Sequence, residues 1–201
     1  SLISMQQDIN KPNWIDVYFS KKDDFDSDMI VSADIKVGNT CNYACVMCVP
    51  EDSSLIYANW MASIDHPVVQ RKLAKDPEYL TRAKSFTFKN KQYIEYLDDI
   101  LENNKHIKFL KFLGGEPFLD KFLIDKLRQL PASTKSKLSL LFVTNASKDV
   151  SEIIDSLGDF KYVQCSVSLE GIGEVQEWAR YGSNWQEVEQ HVLKAVSNPR
   201  I

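Results

Sequence analysis

The sequence predicts an α/β protein in which a parallel sheet is covered by helices. Between residues 29 and 201, segments with strand character alternate four times with segments of helical periodicity. Such alternation predicts parallel strands joined by right-handed crossovers. Polar or glycine-rich residues lie at the end of each predicted strand. Because parallel folds bind ligands at the carboxyl ends of their strands, the sequence also predicts the edge at which a site would lie.

The first strand leads into the most unusual stretch of the chain. The β-forming residues of positions 29–37 predict a strand, which Gly38-Asn39-Thr40 ends. Cys41, Cys45 and Cys48 follow with C-x3-C-x2-C spacing, and no fourth cysteine or histidine lies close by. Three thiolates can hold three irons of a cubane cluster and leave the fourth iron open to a small molecule. Electron-transfer clusters and structural zinc sites normally have four protein ligands, so the spacing favours chemistry.

Two segments lie outside the regular alternation. Residues 1–28 are predicted to form an N-terminal extension, whose aromatic residues at positions 14–19 are expected to pack against the body. Residues 50–88 are predicted to form an insertion with helical patches at residues 55–64 and 68–73. Long insertions often form lids or binding surfaces, so this one is predicted to face the substrate. A solvated helical segment without such a role is an equal alternative.

Three further strands are predicted, each with polar or glycine residues at its end. They are residues 109–113 before Gly114-Gly115-Glu116-Pro117, residues 138–143 before Thr144-Asn145, and residues 162–169, which include Ser168 and precede Glu170. Together with the cysteine loop, these four strand ends form the predicted site.

The remaining helices are predicted from their caps and apolar periodicity. They are residues 89–104, a helix that starts at Asp120 and is closed by Pro131, one capped by Ser147 and stopped by Gly158, and a last one with a capping box at Asn184 and Glu187 or at Ser183 and Gln186. The last helix is expected to bury four side chains: Trp185, Val188, Val192 and Val196.

Composition narrows the classes of function. The net charge of −4 lacks the basic excess of a general nucleic-acid binder. Without a signal peptide or an 18-residue apolar span, a cytoplasmic protein that does not enter a membrane is expected. Clustered cysteines in that compartment indicate metal or redox chemistry, whereas Cys165, in an apolar run, is expected to pack as a small hydrophobe.

Because the chain begins with Ser1 and stops at Ile201 after a predicted helix, both ends are expected to be cut edges.

The three cysteines, followed one unit later by Gly114-Gly115-Glu116-Pro117, make the chain resemble the radical S-adenosylmethionine (SAM) superfamily. The resemblance runs from about Ile30 to the C-terminus. Within that superfamily, the cysteine loop together with residues 168–171 and Arg180 makes the chain most similar to the SPASM/twitch branch. It implies that residues 29–201 form a partial (β/α) barrel of radical SAM type. That core would be incomplete at its C-terminus, because the family usually has six βα units and this branch adds a cysteine-rich module.

The resemblance also implies cofactors and an activity. Cys41, Cys45 and Cys48 would hold a [4Fe–4S] cluster whose open iron chelates the amine and carboxylate of SAM. One electron, from a donor such as flavodoxin or ferredoxin, would cleave SAM to methionine and a 5′-deoxyadenosyl radical. That radical would take a hydrogen atom from a peptide or small-molecule substrate, so the protein would be an oxidoreductase-like or transferase-like enzyme. Its own contribution would be to position the cofactors and exclude water.

Matched positions give the strand-end residues their roles in this resemblance. Glu116, with the carbonyl groups of Gly114 and Gly115, would accept hydrogen bonds from the SAM ammonium, and Pro117 would fix the turn. Arg180 would pair with the SAM carboxylate through its planar fork. The other members of the predicted pocket are Ser168 and Glu170 at the ribose, Met47 at the adenine in place of an aromatic residue, and Thr144 and Asn145 along the wall.

Several of these residues also have an ordinary interpretation. The cysteines could bind zinc with a distant ligand such as His66, and Glu116 could lie in a plain strand-to-helix turn. Glu170 and Arg180 could be solvated charges. A cluster- or zinc-binding interaction module without catalysis, and an inactive relative of the family, therefore remain as alternatives to the enzyme. The three histidines are expected at the surface: His66, His106 and His191.

Overall fold

The structure, a computed structural model, describes residues 30–85 and 92–201. The predicted N-terminal extension (residues 1–28), with its aromatic anchor, lies outside the described residues. So do the end of the predicted insertion and the first residues of the helix predicted from residue 89. Over the described part, strands and helices alternate from residue 92 onward, and the α/β class is confirmed.

A parallel four-stranded sheet forms the centre of the fold. Its strands, in spatial order, are β1 (Ser32–Lys36), β3 (Phe109–Leu113), β4 (Ser139–Thr144) and β5 (Tyr162–Val167), and β2 (Ala44–Cys45) pairs separately and antiparallel with β6 (Arg180–Tyr181). The register places Ile35 beside Phe112, Phe112 beside Phe142, and Phe142 beside Cys165. This apolar row belongs to the hydrophobic core, and Cys165 packs against it as predicted.

Helices follow the strands along the chain. Their bounds are α1 (Ser54–Ala62), α2 (Pro67–Lys75), α3 (Tyr79–Ser85), α4 (Gln92–Asn103), α5 (Lys121–Gln129), α6 (Ala132–Lys135), α7 (Val150–Leu157), α8 (Glu174–Ala179) and α9 (Trp185–Ser197), with a 3₁₀ turn at Pro117–Leu119. The first three helices form most of the predicted insertion. Within the described ranges, no helix combines the length and apolar composition that a membrane crossing needs.

Two of the three predicted helix starts are confirmed. Asp120 caps α5 by accepting from the backbone N–H groups of Phe122 and Leu123, and Asn184 caps α9. The third was wrong, because α7 begins two residues later than predicted and is capped by Asp149. Ser147 instead donates its hydroxyl to Asn42 Oδ1. Its side chain therefore serves a loop contact that its helical neighbours do not reveal.

The burial of α9 differs from the prediction at its C-terminal end. Val188 is fully buried, and Trp185 and Val192 pack partly buried against the core. Val196, predicted to be buried, exposes 81% of its surface, and Ala195 is buried in its place. Residues three and four apart share a helix face, so the core-facing stripe steps from position 188 to 192 and then to 195.

A pair of substitutions on α9 tests this assignment of its buried face. Val188→Ala removes two buried methyl groups and is expected to lower the free energy of unfolding by about 2 kcal/mol. Val196→Ala is expected to change it by less than about 0.5 kcal/mol. Denaturant unfolding of both variants measures the difference. Equal losses at the two positions would contradict the assigned face.

Candidate functional site

The three predicted ligand cysteines lie on a loop that leaves the carboxyl end of β1. We call residues 38–50 the cluster loop. Tyr43 and Cys45 are buried within it, whereas Met47 exposes 49% of its surface. The loop is joined to the far end of the chain, because Cys45 pairs with Arg180 in the β2–β6 ladder and Val46 N donates to the Ala179 carbonyl at 2.9 Å.

The glycine pair after β3 runs directly alongside the start of the cluster loop. Gly115 N donates to Gly38 O at 3.0 Å, and Glu116 N donates to Thr40 O at 2.8 Å. A Cβ atom on Gly115 would lie 2.0 Å from Thr40 O. Gly114 has a backbone φ of +99°, which residues with a side chain rarely adopt. The sequence predicted that the glycine pair lets a ligand approach the backbone closely. In the structure, the backbone that approaches Gly115 is the protein's own, at Thr40, one residue before Cys41.

Glu116 joins the ends of two strands. It is 1% exposed, and its Oε1 accepts from Phe118 N at 3.2 Å and from the Thr144 hydroxyl at 2.8 Å. Its Oε2 accepts from Asn145 N at 2.7 Å. Burial raises the pKa of this carboxyl, while these hydrogen bonds and the charge of Arg180 act in the opposite direction. A carboxylate has about four acceptor positions, so three contacts leave about one for a further donor.

The two polar residues at the end of β4 are also engaged within the protein. Thr144 is 2% exposed, and its hydroxyl donates to Glu116 and accepts from Ala146 N at 3.0 Å. Asn145 donates from Nδ2 to Cys41 Sγ at 3.7 Å and to Asn42 Oδ1 at 3.1 Å. The structure therefore places Asn145 against one of the predicted ligand cysteines.

Arg180 lies between the cluster loop and the segment after β5. Its Nη1 donates to Cys45 Sγ at 3.7 Å, 135 residues away in sequence, and its Nη2 donates to Glu170 Oε1 at 2.8 Å. The backbone N–H of Glu170 in turn donates to Gln176 Oε1 at 2.8 Å. In the part of the chain that the structure describes, Arg180 Nε and Gln176 Nε2 are buried and have no hydrogen-bond partner. Ser168, by contrast, is held through its backbone N–H, which donates to Thr144 O at 2.9 Å.

The three thiols influence one another electrostatically. The Cys45 thiol donates to the Cys48 sulfur, which raises the pKa of Cys45 and lowers the pKa of Cys48 to about 7. Burial raises the pKa of Cys41, and the negative charge of Cys48 adds to that effect. All four cysteines of the chain are free thiols. A thiol cluster with N–H donors at two of its sulfurs suits an anionic, thiolate-bound iron–sulfur cluster.

The thiols are not gathered around one point, as the ligands of a single metal ion would be. Across residues 30–85 and 92–201, no group of three or more His, Cys, Asp or Glu side chains is arranged to hold one ion. A zinc ion would draw its sulfur ligands to about 2.3 Å from one point. His66, the suggested distant ligand, instead caps α2 by accepting from Val68 N with its Nδ1.

The sequence prediction missed the residues that hold the cluster loop through hydrogen bonds to its backbone. Ser53 caps α1 and also donates its hydroxyl to Tyr43 O at 2.8 Å, and Cys41 N donates to Ser54 Oγ at 3.3 Å. The fully buried Asn39 donates to the carbonyls of Pro50 and Ala83. The predicted insertion therefore holds the loop in place. The two serines directly before a helical patch were the available signal, since serine is a preferred N-cap.

The histidine prediction is wrong at one position. His191 on α9 is half-buried, and its Nδ1 lies 2.8 Å from the carbonyl oxygen of Ala146, directly after Asn145. Helix α9 thus contacts the turn that follows β4. No local pattern marked this contact, because residues 146 and 191 meet only through the tertiary fold.

Comparison with known proteins gives a match to a family model. The model, described as the radical SAM superfamily, matches residues 35–198. The matched range includes the three loop cysteines, residues 114–117 and Arg180. No curated protein and no solved structure matches the chain.

Proposed function

The chain belongs to the radical SAM superfamily, and on that premise we propose that it is a radical SAM enzyme that abstracts a hydrogen atom from a peptide or small-molecule substrate. The superfamily uses a [4Fe–4S] cluster and SAM. In the proposed activity, one-electron reduction of these cofactors would supply a 5′-deoxyadenosyl radical. The observation that carries the proposal is the convergence of three thiols with Asn145 and Arg180, which come from distant elements to the sulfurs of Cys41 and Cys45.

Cys41, Cys45 and Cys48 are the proposed cluster ligands. The backbone hydrogen bonds from Gly115 and Glu116 hold residues 38–40, and α1 holds the loop from its other side. Such support matters because a cluster ligand has to be presented in a fixed geometry. The glycine pair therefore contributes twice in this proposal, once to the loop and once through its carbonyl groups to the SAM ammonium.

Arg180 and Glu170 are proposed to bind the polar groups of SAM. Arg180 has a buried Nε without a hydrogen-bond partner, and its Nη1 donates to Cys45 Sγ, so this guanidinium suits a carboxylate next to the cluster. The ion pair with Glu170 orients the guanidinium, and the second oxygen of Glu170 suits a ribose hydroxyl. Gln176, with its unpartnered Nε2, is a further donor for this pocket. The other residues proposed for the SAM pocket are Met47, Gly114, Gly115, Glu116, Pro117 and Ser168, with Thr144 and Asn145 lining its wall.

The proposal extends to the branch, the surroundings and the partners of the enzyme. Likeness to the SPASM/twitch branch rests on the cysteine loop, residues 168–171 and Arg180. The four free cysteines suit a reducing compartment, which supports the cytoplasm as the location. A protein electron donor such as flavodoxin or ferredoxin would supply the reductant.

Anaerobic reconstitution tests the activity. The purified protein, given iron and sulfide, is expected to bind about four irons per chain with broad visible absorbance. After reduction it is expected to convert SAM to methionine and 5′-deoxyadenosine, which chromatography measures. A protein that binds the cluster and never cleaves SAM would instead be the non-catalytic cluster-binding module, and this proposal would be rejected.

A further inference from the structure

Asn145 follows β4 and is fixed at both its backbone and its side chain. It is 5% exposed, and its backbone N–H donates to Glu116 Oε2 at 2.7 Å. Its side-chain Oδ1 accepts from Ser147 N at 2.9 Å. Its Nδ2 faces Cys41 Sγ at 3.7 Å and Asn42 Oδ1 at 3.1 Å, about one hundred residues earlier in the chain. One buried side chain thus connects the end of β4 to the cluster loop.

The hydrogen bonds determine which end of the Asn145 amide faces the cysteine. A backbone N–H can only donate, so the atom that faces Ser147 N has to be the amide oxygen. The NH₂ group therefore faces the cluster loop. It has two protons and meets two acceptors there, one sulfur and one amide oxygen, so both of its hydrogens are used. The sulfur contact is part of a fully satisfied arrangement.

The turn behind β4 holds this orientation in place. Ala146 has a φ of +55°, a conformation that residues other than glycine seldom adopt. Thr144 Oγ1 accepts from Ala146 N, and His191 contacts the Ala146 carbonyl from α9. A strained conformation persists when its surroundings determine it from several sides, and such strain occurs often at functional sites. Here its effect is to direct the Asn145 amide toward Cys41.

We propose that Asn145 is a positioning residue whose amide N–H holds the Cys41 sulfur and, once that sulfur is a cluster ligand, raises the reduction potential of the cluster. This inference rests on the proposed function. Hydrogen bonds to cluster sulfurs are among the factors that set the potential. A reduced cluster is more negative than an oxidised one, so an N–H donor stabilises the reduced form more. Because the amide is neutral, it does so without adding charge to the pocket in which Arg180 is proposed to bind the SAM carboxylate.

Two variants of Asn145 test the inference on the reconstituted protein without SAM. Asn145→Leu removes the donor at similar size, and Asn145→Asp keeps the shape and Oδ1 while replacing the donor by a negatively charged acceptor. A redox titration followed by electron paramagnetic resonance is expected to give a more negative potential for Asn145→Leu and a still more negative one for Asn145→Asp. If the leucine variant does not fold, Asn145→Ala, which also removes the donor without adding charge, takes its place in the titration.

Two controls separate the sulfur contact from general loop support. Ser147→Ala keeps the backbone N–H and removes only the hydroxyl bond to Asn42, and Asn103→Leu changes an exposed amide on α4 that bonds to Asp99. Both are expected to keep the wild-type potential. A wild-type potential in a cluster-loaded Asn145→Leu or Asn145→Asp variant overturns the inference.

A second measurement does not require the cluster. In the cofactor-free protein, hydrogen–deuterium exchange in the peptide that contains residues 41–48 is expected to be several-fold faster in Asn145→Leu than in wild type. If wild type binds no iron, the proposed function fails, and this rate alone decides the positioning role. Exchange at the wild-type rate in Asn145→Leu would then overturn it.

Discussion

Cys45→Ala is expected to abolish both iron binding and SAM cleavage. Cys45 is buried in β2, and its sulfur accepts a hydrogen bond from Arg180 Nη1 at 3.7 Å. Two remaining thiolates cannot replace three iron ligands. Loss of a residue that merely orients a metal ligand costs about 10–100-fold in affinity or activity, so loss of a ligand is expected to exceed about 100-fold. Iron and sulfide analysis, visible absorbance and the yield of 5′-deoxyadenosine measure the effect.

Cys165→Ala is the matched control for that experiment. Cys165 lies in β5, where burial raises its pKa to about 12 and its side chain packs against the core. Its replacement is expected to leave the iron content and SAM cleavage at wild-type levels. The proposed ligand set would be wrong if Cys45→Ala kept wild-type iron content, or if Cys165→Ala lost iron while remaining folded by circular dichroism.

The sequence predicted those parts of the fold that depend on local pattern. The strand Phe109–Leu113 was predicted at both of its ends, because a five-residue run with four apolar residues stops at a glycine whose positive φ breaks the strand. The helix starts at Asp120 and Asn184 were predicted in the same way. Each of these signals lies within a few residues of the feature that it predicts, so a single sequence contains it.

Contacts between distant residues could not be predicted in the same way. The residue types at the strand ends were identified, but their partners were not. Nothing local links Asn145 to Cys41, and the ion pair of Arg180 with Glu170 depends on how the segment after β5 folds back to the cluster loop. The β2–β6 pair has two residues in each strand, which is too short for any periodicity. These arrangements follow from packing, which a pattern along one chain does not record.

Gly115→Ala is expected to destabilise the protein even without any cofactor. The new Cβ would lie 2.0 Å from Thr40 O, 2.5 Å from Thr40 C and 2.7 Å from Asn39 C. All three are backbone atoms, so no side chain can rotate away, and the ladder from residues 114–116 to residues 38–40 has to separate. We expect a loss of about 3 kcal/mol or more in the free energy of unfolding, measured with denaturant on the cofactor-free protein.

Gly173→Ala provides the comparison that isolates this close approach. Gly173 has a φ of +57°, but no heavy atom lies within 4 Å of the position that a Cβ would occupy there. Because its ψ of −135° also lies outside the left-handed α region, alanine at this position is expected to cost about 1–3 kcal/mol through backbone conformation alone. The φ of Gly115, in contrast, is not positive, so its cost would come from steric overlap with the cluster loop. If the two alanine variants lost equal stability, the contact between residues 114–116 and the cluster loop would not be the support that the structure indicates.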